Sequence, residues 1–151
     1  YGAYLVDLAK QVMKQNDNKE IFNILEDSLL KINDNFNSEI ITNIAELKYL
    51  SYLGVKPVLD RCNICGSTKD IITVNSDAGG YICKNCYTNE YITDEKTLKL
   101  LRMFDFVDIA KIKELNIIDK NKREINKFLE DYYTKYTGLY LKSKDFLSQI
   151  K

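Results

Sequence analysis

The chain has 151 residues, 45 % of them apolar and 29 % charged, enough for one ordinary globular domain or one domain carrying a small appended module. Lys and Arg together number 22, as do Asp and Glu, so no net charge draws the whole chain toward nucleic acid or a membrane surface. With no histidine there is no Ser-His-Asp or Cys-His arrangement and no ordinary neutral-pH acid–base, which argues against an enzyme.

The charge is unevenly placed. Residues 1–60 hold 6 basic and 9 acidic side chains, 61–110 hold 6 and 7, and 111–151 hold 10 and 6, so only the C-terminal quarter is basic. No apolar run reaches the roughly 18 residues of a membrane span, and there is no signal peptide. Reduced cysteines in metal-binding spacing fit a cytoplasmic location. Tyr1 is not an initiator methionine and a helical pattern is already running at residues 4–12, so the chain reads as the C-terminal part of something longer.

One proline and six glycines favour long helices over many short strands. Leu5, Leu8 and Val12 share one helical face, with Tyr1 and Tyr4 beside it. Phe22, Leu25, Leu29 and Ile32 repeat at three and four and predict a second amphipathic helix. Ser38 is placed to cap a third, which has only Glu46 and Lys48 as charges between Ile40 and Leu53 and is expected at the centre of a bundle. Gly54 and Pro57 stop it.

Residues 58–91 follow another pattern. Ile71 to Val74 is a short β-branched run, Asp77-Ala78-Gly79-Gly80 is a turn, and Tyr81-Ile82 resumes an extended chain, which predicts a hairpin. Thr93, with Asp94 and Glu95, reads as the N-cap and acidic first turn of a helix through Leu98, Leu101 and Phe104. A shorter helical segment is expected over Val107 to Leu115. The last long helix starts near Asp119, carries Ile125, Phe128, Leu129, Tyr132 and Tyr136 on one face, and ends at Gly138; Ser143 can cap a final turn bearing Phe146, Leu147 and Ile150. The expected architecture is mainly α: a helical bundle, 1–57 and 92–151, with a zinc ribbon-like hairpin, 58–91, inserted between its third and fourth helices.

The hairpin carries the clearest chemical signal. Cys62, Cys65, Cys83 and Cys86 form two C-x2-C pairs separated by seventeen residues, and the chain has no other cysteine. Four converging thiolates suit a tetrahedral, structural Zn²⁺ with no open position for water or substrate, ahead of an iron centre or paired disulfides. Gly66 supplies the turn after the first pair, and Asn85 is the candidate for the corresponding strained position after the second. Four thiolates on Zn²⁺ leave a net charge of −2, which gives Arg61 and Lys84 a role beside the ligands. Lys120, Arg123, Lys127, Lys142 and Lys144 are the candidate contacts for phosphates or an acidic peptide, against a plainer reading as a solvated face with Glu124, Glu130 and Asp131 as intrahelical partners. Tyr49, Tyr52, Tyr132 and Tyr136 fall at helical spacing and read as core rather than as base-stacking platforms.

Several segments together resemble a known family. The run from Glu46 to Pro57 leads into Cys62-Asn63-Ile64-Cys65-Gly66; Gly79-Gly80-Tyr81-Ile82-Cys83-Lys84-Asn85-Cys86 follows, and Leu141-Lys142-Ser143-Lys144-Asp145-Phe146-Leu147 comes near the end. This is similar to the C-terminal region of the bacterial RecO DNA-repair family. The resemblance implies a non-catalytic recombination mediator working with RecR and the single-stranded-DNA-binding protein SSB. It also implies an N-terminal OB-fold, absent here, as the main contact for single-stranded DNA, and a helical region that docks the acidic, phenylalanine-ended tail of SSB. Two alternatives stand beside it: a zinc module that itself binds single-stranded nucleic acid, and a zinc-stabilised helical interaction protein unrelated to DNA repair.

Overall fold

A computed structural model describes residues 1–139. In chain order these form α1 (Gly2–Gln15), α2 (Lys19–Asn33), α3 (Ser38–Tyr52), β1 (Ile71–Asn75), β2 (Gly80–Cys83), α4 (Glu95–Phe106), a single 3-10 turn (Ile109–Lys111) and α5 (Asp119–Tyr136). The mainly helical bundle with an inserted two-stranded hairpin is the architecture expected from the sequence.

The scarcity of charge on α3 has the anticipated consequence. Every residue from Ile40 to Leu47 is buried, and the helix touches each of the other four α-helices. Its end is a Schellman turn: the Gly54 N–H bonds the Ser51 carbonyl, the Val55 N–H bonds that of Leu50, and Gly54 takes the left-handed φ of +77° that the turn requires. One apolar core runs through the bundle, from Leu5, Leu8 and Val12 on α1 through α3 to Leu101 and Phe104 on α4 and Ile125 and Leu129 on α5. Leu59, Val74 and Tyr81 from the inserted segment belong to the same core.

Tyrosines fasten the elements to one another. The Tyr49 hydroxyl donates to the Ile21 carbonyl (3.2 Å), Tyr132 to Val55 (2.6 Å), Tyr133 to Glu46 (2.6 Å), Tyr136 to Ser76 (2.6 Å) and Tyr81 to Leu98. Tyr4 donates to the buried Glu46 carboxylate at 2.6 Å. Burial first, and the Glu46 charge second, raise the Tyr4 hydroxyl far above its ordinary range, so it stays a proton donor. Rings bury large apolar areas while the hydroxyls satisfy backbone carbonyls, with net gains of about 0.5–1.5 kcal/mol per bond. Of the four tyrosines expected in the core, Tyr49 and Tyr132 are buried and Tyr52 and Tyr136 are half-buried against it.

Some local expectations are corrected. Phe22 is 53 % exposed: α2 buries Ile21, Leu25 and Ser28, a face rotated by one residue, with Ile21 in the core of the bundle. Ser38 is the first residue of α3 rather than its cap; Asn37 caps it, accepting from the Ile40 N–H at 3.1 Å. Thr93 is not the cap of α4, since Asp94 holds that position and Thr93 is buried against Thr73. Between Val107 and Leu115 only Ile109–Lys111 is helical. The final turn anticipated at 143–150 lies outside the described residues.

Candidate metal centre and adjoining groove

Both knuckles are tied to the hairpin by the backbone. In the first, the Cys62 N–H bonds the Ser67 carbonyl (2.8 Å) and the Gly66 N–H returns to Cys62 (2.9 Å), with Gly66 at φ +83°. The Ile64 N–H points at the Cys62 sulfur (3.4 Å). In the second, the N–H groups of Cys86 and Tyr87 both converge on the Cys83 carbonyl. That closure needs no left-handed residue. Asn85 is not in the left-handed region; Asp70, at φ 56°, is, and its carbonyl receives the Lys84 N–H. The two knuckles are brought together by the antiparallel β1–β2 pair, in which Ile71 faces Cys83.

A third strand-like contact sets the position of the first knuckle. Val58 pairs with Gly80 as an isolated parallel bridge, and the Asn63 N–H bonds the Tyr81 carbonyl at 2.9 Å. A Cβ on Gly80 would lie 2.1 Å from the Val58 carbonyl oxygen, so only glycine permits this approach.

The four Sγ atoms lie within 4.8 Å of one another, and those of Cys65 and Cys83 are 3.6 Å apart. A tetrahedron with Zn–S bonds near 2.3 Å has edges of about 3.8 Å, whereas a disulfide closes to about 2.05 Å. The sulfurs are therefore unlinked and spaced to hold one metal ion. Their acidities carry the same message. Burial raises the Cys62 thiol, but N–H groups of Cys65, Cys83 and Ile64 outweigh it and bring it down to about 6. Desolvation and the crowding of the other three sulfurs push Cys86 up to about 12. A cation among the four sulfurs would offset the crowding of their negative charge.

The flanking cations are placed plainly. The exposed Arg61 guanidinium bonds the Asp60 carboxylate at 3.2 Å, and the Lys84 side chain is exposed.

Beyond the sulfurs, the hairpin joins α5 through a groove of about 710 Å³. Its walls are Val74, Asn75 and Ser76 on one side and Lys120, Arg123, Lys127 and Phe128 on the other. Three of the five candidate contact residues thus come together, all exposed. Lys142 and Lys144 lie outside the described residues. Lys127 also pairs with Asp131 (3.2 Å) and Lys120 with Asp94 (3.9 Å).

Glu124 and Asn121 are the residues that sequence reasoning missed. Glu124 does not serve the lysines of its own helix. Its carboxylate accepts from the Tyr91 hydroxyl (2.7 Å), the Thr97 hydroxyl (2.7 Å) and the Asp94 N–H (3.3 Å), so α5 caps the start of α4 across space. The buried Asn121 amide donates to Asp94 (2.9 Å) and Thr97 (2.8 Å). Thr73 on β1 closes the set, donating to the Tyr91 carbonyl and accepting from the Thr93 N–H. No signal in the sequence points to them, since Thr93 and Asp94 read as an ordinary cap, and only the structure shows α4 opening without a side-chain cap of its own.

Among the described residues no helix is long and apolar enough to cross a membrane. The family model for recombination protein O, C terminal, matches residues 1–145. The DNA repair protein RecO of Bacillus pumilus (strain SAFR-032) is 34 % identical, over 100 % of this chain and 60 % of that protein. Those of Bacillus velezensis (strain DSM 23117 / BGSC 10A6 / LMG 26770 / FZB42) and Bacillus subtilis (strain 168) are 30 % and 29 % identical, each over 100 % of this chain and 61 % of the relative. The chain thus spans about three fifths of the length of these curated relatives. With both knuckles and the bundle inside the matched residues, the chain belongs to the RecO family, as its C-terminal region.

Proposed function

We propose that this region is a non-catalytic interaction module of a cytoplasmic recombination mediator in DNA repair, acting with RecR and SSB, and that single-stranded DNA is held mainly by an N-terminal OB-fold outside this chain. Zn²⁺ on Cys62, Cys65, Cys83 and Cys86 has a structural role, with Arg61 and Lys84 offsetting the negative charge of the four-thiolate centre. Within the inserted unit, 58–91, the two knuckles are what the metal organises.

The observation that carries this reading is the groove between β1 and α5. Its floor has apolar surface from Val74 and Phe128, and its rim has the cations Lys120, Arg123 and Lys127, beside the carboxylates of Glu124, which is engaged at the start of α4, and Asp131, which pairs with Lys127. An acidic peptide ending in an aromatic residue needs both features: an apolar seat for the ring and donors for the carboxylates. Lys142 and Lys144 extend the basic character of this part of the sequence.

A fluorescent SSB-tail peptide tests the reading. Micromolar binding, lost when the terminal phenylalanine is removed and weakened at least about tenfold by Arg123→Glu, is the expected result; a tenfold loss corresponds to about 1.4 kcal/mol. Equal binding with and without the terminal phenylalanine would overturn it. Tyr91, 69 % exposed beside the same groove, favours the second reading, direct binding of single-stranded nucleic acid. That reading predicts a steep fall in oligonucleotide affinity with salt for this chain alone.

A further inference from the structure

The four cysteines are unequally exposed. Cys62 and Cys83 are 1 % and 2 % exposed and Cys86 is half-buried, whereas Cys65 is open to solvent between exposed Ile64 and Gly66. Nothing lies within 4 Å of where a Cβ on Gly66 would be, so the surface next to Cys65 is open. The Cys62 sulfur is held by the Ile64 N–H. The Cys65 sulfur instead faces that of Cys83 at 3.6 Å, and closing this gap to a disulfide needs a shift of about 1.6 Å. A reachable thiolate beside a buried second one is the arrangement of a cysteine that is oxidised and then resolved.

We propose that Cys65 is a redox modification site: a hydroperoxide oxidises it, Cys83 resolves it as a disulfide, and the metal is expelled. The Cys65 thiolate attacks one peroxide oxygen and the O–O bond breaks. That oxygen remains on sulfur as a sulfenic acid, and the other leaves as hydroxide. The Cys83 thiolate then attacks the Cys65 sulfur, the S–S bond forms, and a second hydroxide leaves. The two sulfurs together lose two electrons, and the peroxide gains them. Cys62 and Cys86 remain as the only ligands, too few for a closed four-coordinate site. Cys83 ends β2, whose partner β1 supplies Val74, Asn75 and Ser76 to the groove. The inference rests on the metal reading and not on the identity of the docked peptide.

The test treats the zinc-loaded chain with hydrogen peroxide in two arms, one with dimedone to trap sulfenic acid and one with a chromogenic zinc chelator. Expected are a first dimedone adduct on Cys65, zinc release in step with the loss of two of the four thiols, and a Cys65–Cys83 linked peptide by non-reducing mass spectrometry. Reductant with added zinc restores the metal. A first adduct on another cysteine, a Cys62–Cys65 or Cys83–Cys86 link, or zinc release without any disulfide overturns the proposal. A zinc-loaded chain that keeps its metal under peroxide overturns this inference alone, whereas a chain isolated without metal overturns the zinc reading as well.

Discussion

The bundle and the cysteine hairpin of this chain hold their shapes by different means. In the bundle, α3 contributes an unbroken buried run from Ile40 to Leu47, and fully buried Leu5, Leu101, Phe104 and Leu129 close around it. The knuckles hold exposed residues at 63–66 and 84–85, and little but four sulfurs lies between them. One region is stabilised by area removed from water; the other offers four sulfurs that could hold a cation. The boundary between them is not where the chain turns into the hairpin. Val74 and Tyr81 belong to the bundle's core, and Tyr81 and Tyr136 bond across the junction, so the strands side with the bundle and, on the proposed metal reading, only the knuckles rely on the cation.

The largest effect that separates the two regions is Cys83→Ser. Structural zinc in small peptides is worth about 10–16 kcal/mol at neutral pH, so losing one ligand should release both knuckles. Helical circular dichroism should fall little, while hydrogen exchange should quicken at 62–67 and 83–87. Phe104→Ala attacks the other side of the comparison. Emptying a wholly buried ring position should cost about 3–5 kcal/mol, read from denaturant unfolding, with metal content unchanged. Gly80→Ala probes the junction, because its Cβ would meet the Val58 carbonyl at 2.1 Å. A loss above about 1 kcal/mol is expected, together with weaker metal binding, since Val58 positions the first knuckle.

Smaller effects sharpen the picture within the bundle. Tyr133→Phe removes the bond to the Glu46 carbonyl and should cost about 1 kcal/mol in thermal or urea unfolding. The pH dependence of the Asp94 network is smaller still. Donation from Asn121 holds the Asp94 carboxyl below its ordinary 3.8 against the opposing effect of desolvation, and the Lys120 charge adds a smaller push in the same direction. Its contribution is therefore complete above about pH 4 and is lost as pH falls through the lowered folded value. Asp94→Asn should flatten the acid limb of a Tm-against-pH curve and leave the neutral plateau nearly unchanged.

Much of this division is legible in the residues. The near-absence of charge between Ile40 and Leu53 announces a central helix, and the C-x2-C pairs announce a closed four-sulfur site, because both signals lie within a few neighbouring positions. What could not be read depended on partners distant in sequence. Phe22 fits the apolar repeat of α2 as well as Ile21 does, and only the packing of the other helices decides which is buried. Glu124 reads as a partner for nearby lysines until α4 is seen to lack a cap of its own, 30 residues upstream. The groove has the same character: its cations share a helix, but its apolar floor needs β1 beside them.

Hydrogen exchange of the chain with its metal, and again after chelation, tests the central claim most directly. The account predicts about one zinc per chain at the start. After chelation, protection should be lost at 62–67 and 83–87 and kept through α3, α4 and α5. A chain that has no metal and unlinked cysteines yet shows fully protected knuckles, or one in which chelation unfolds α3 together with the knuckles, would contradict it.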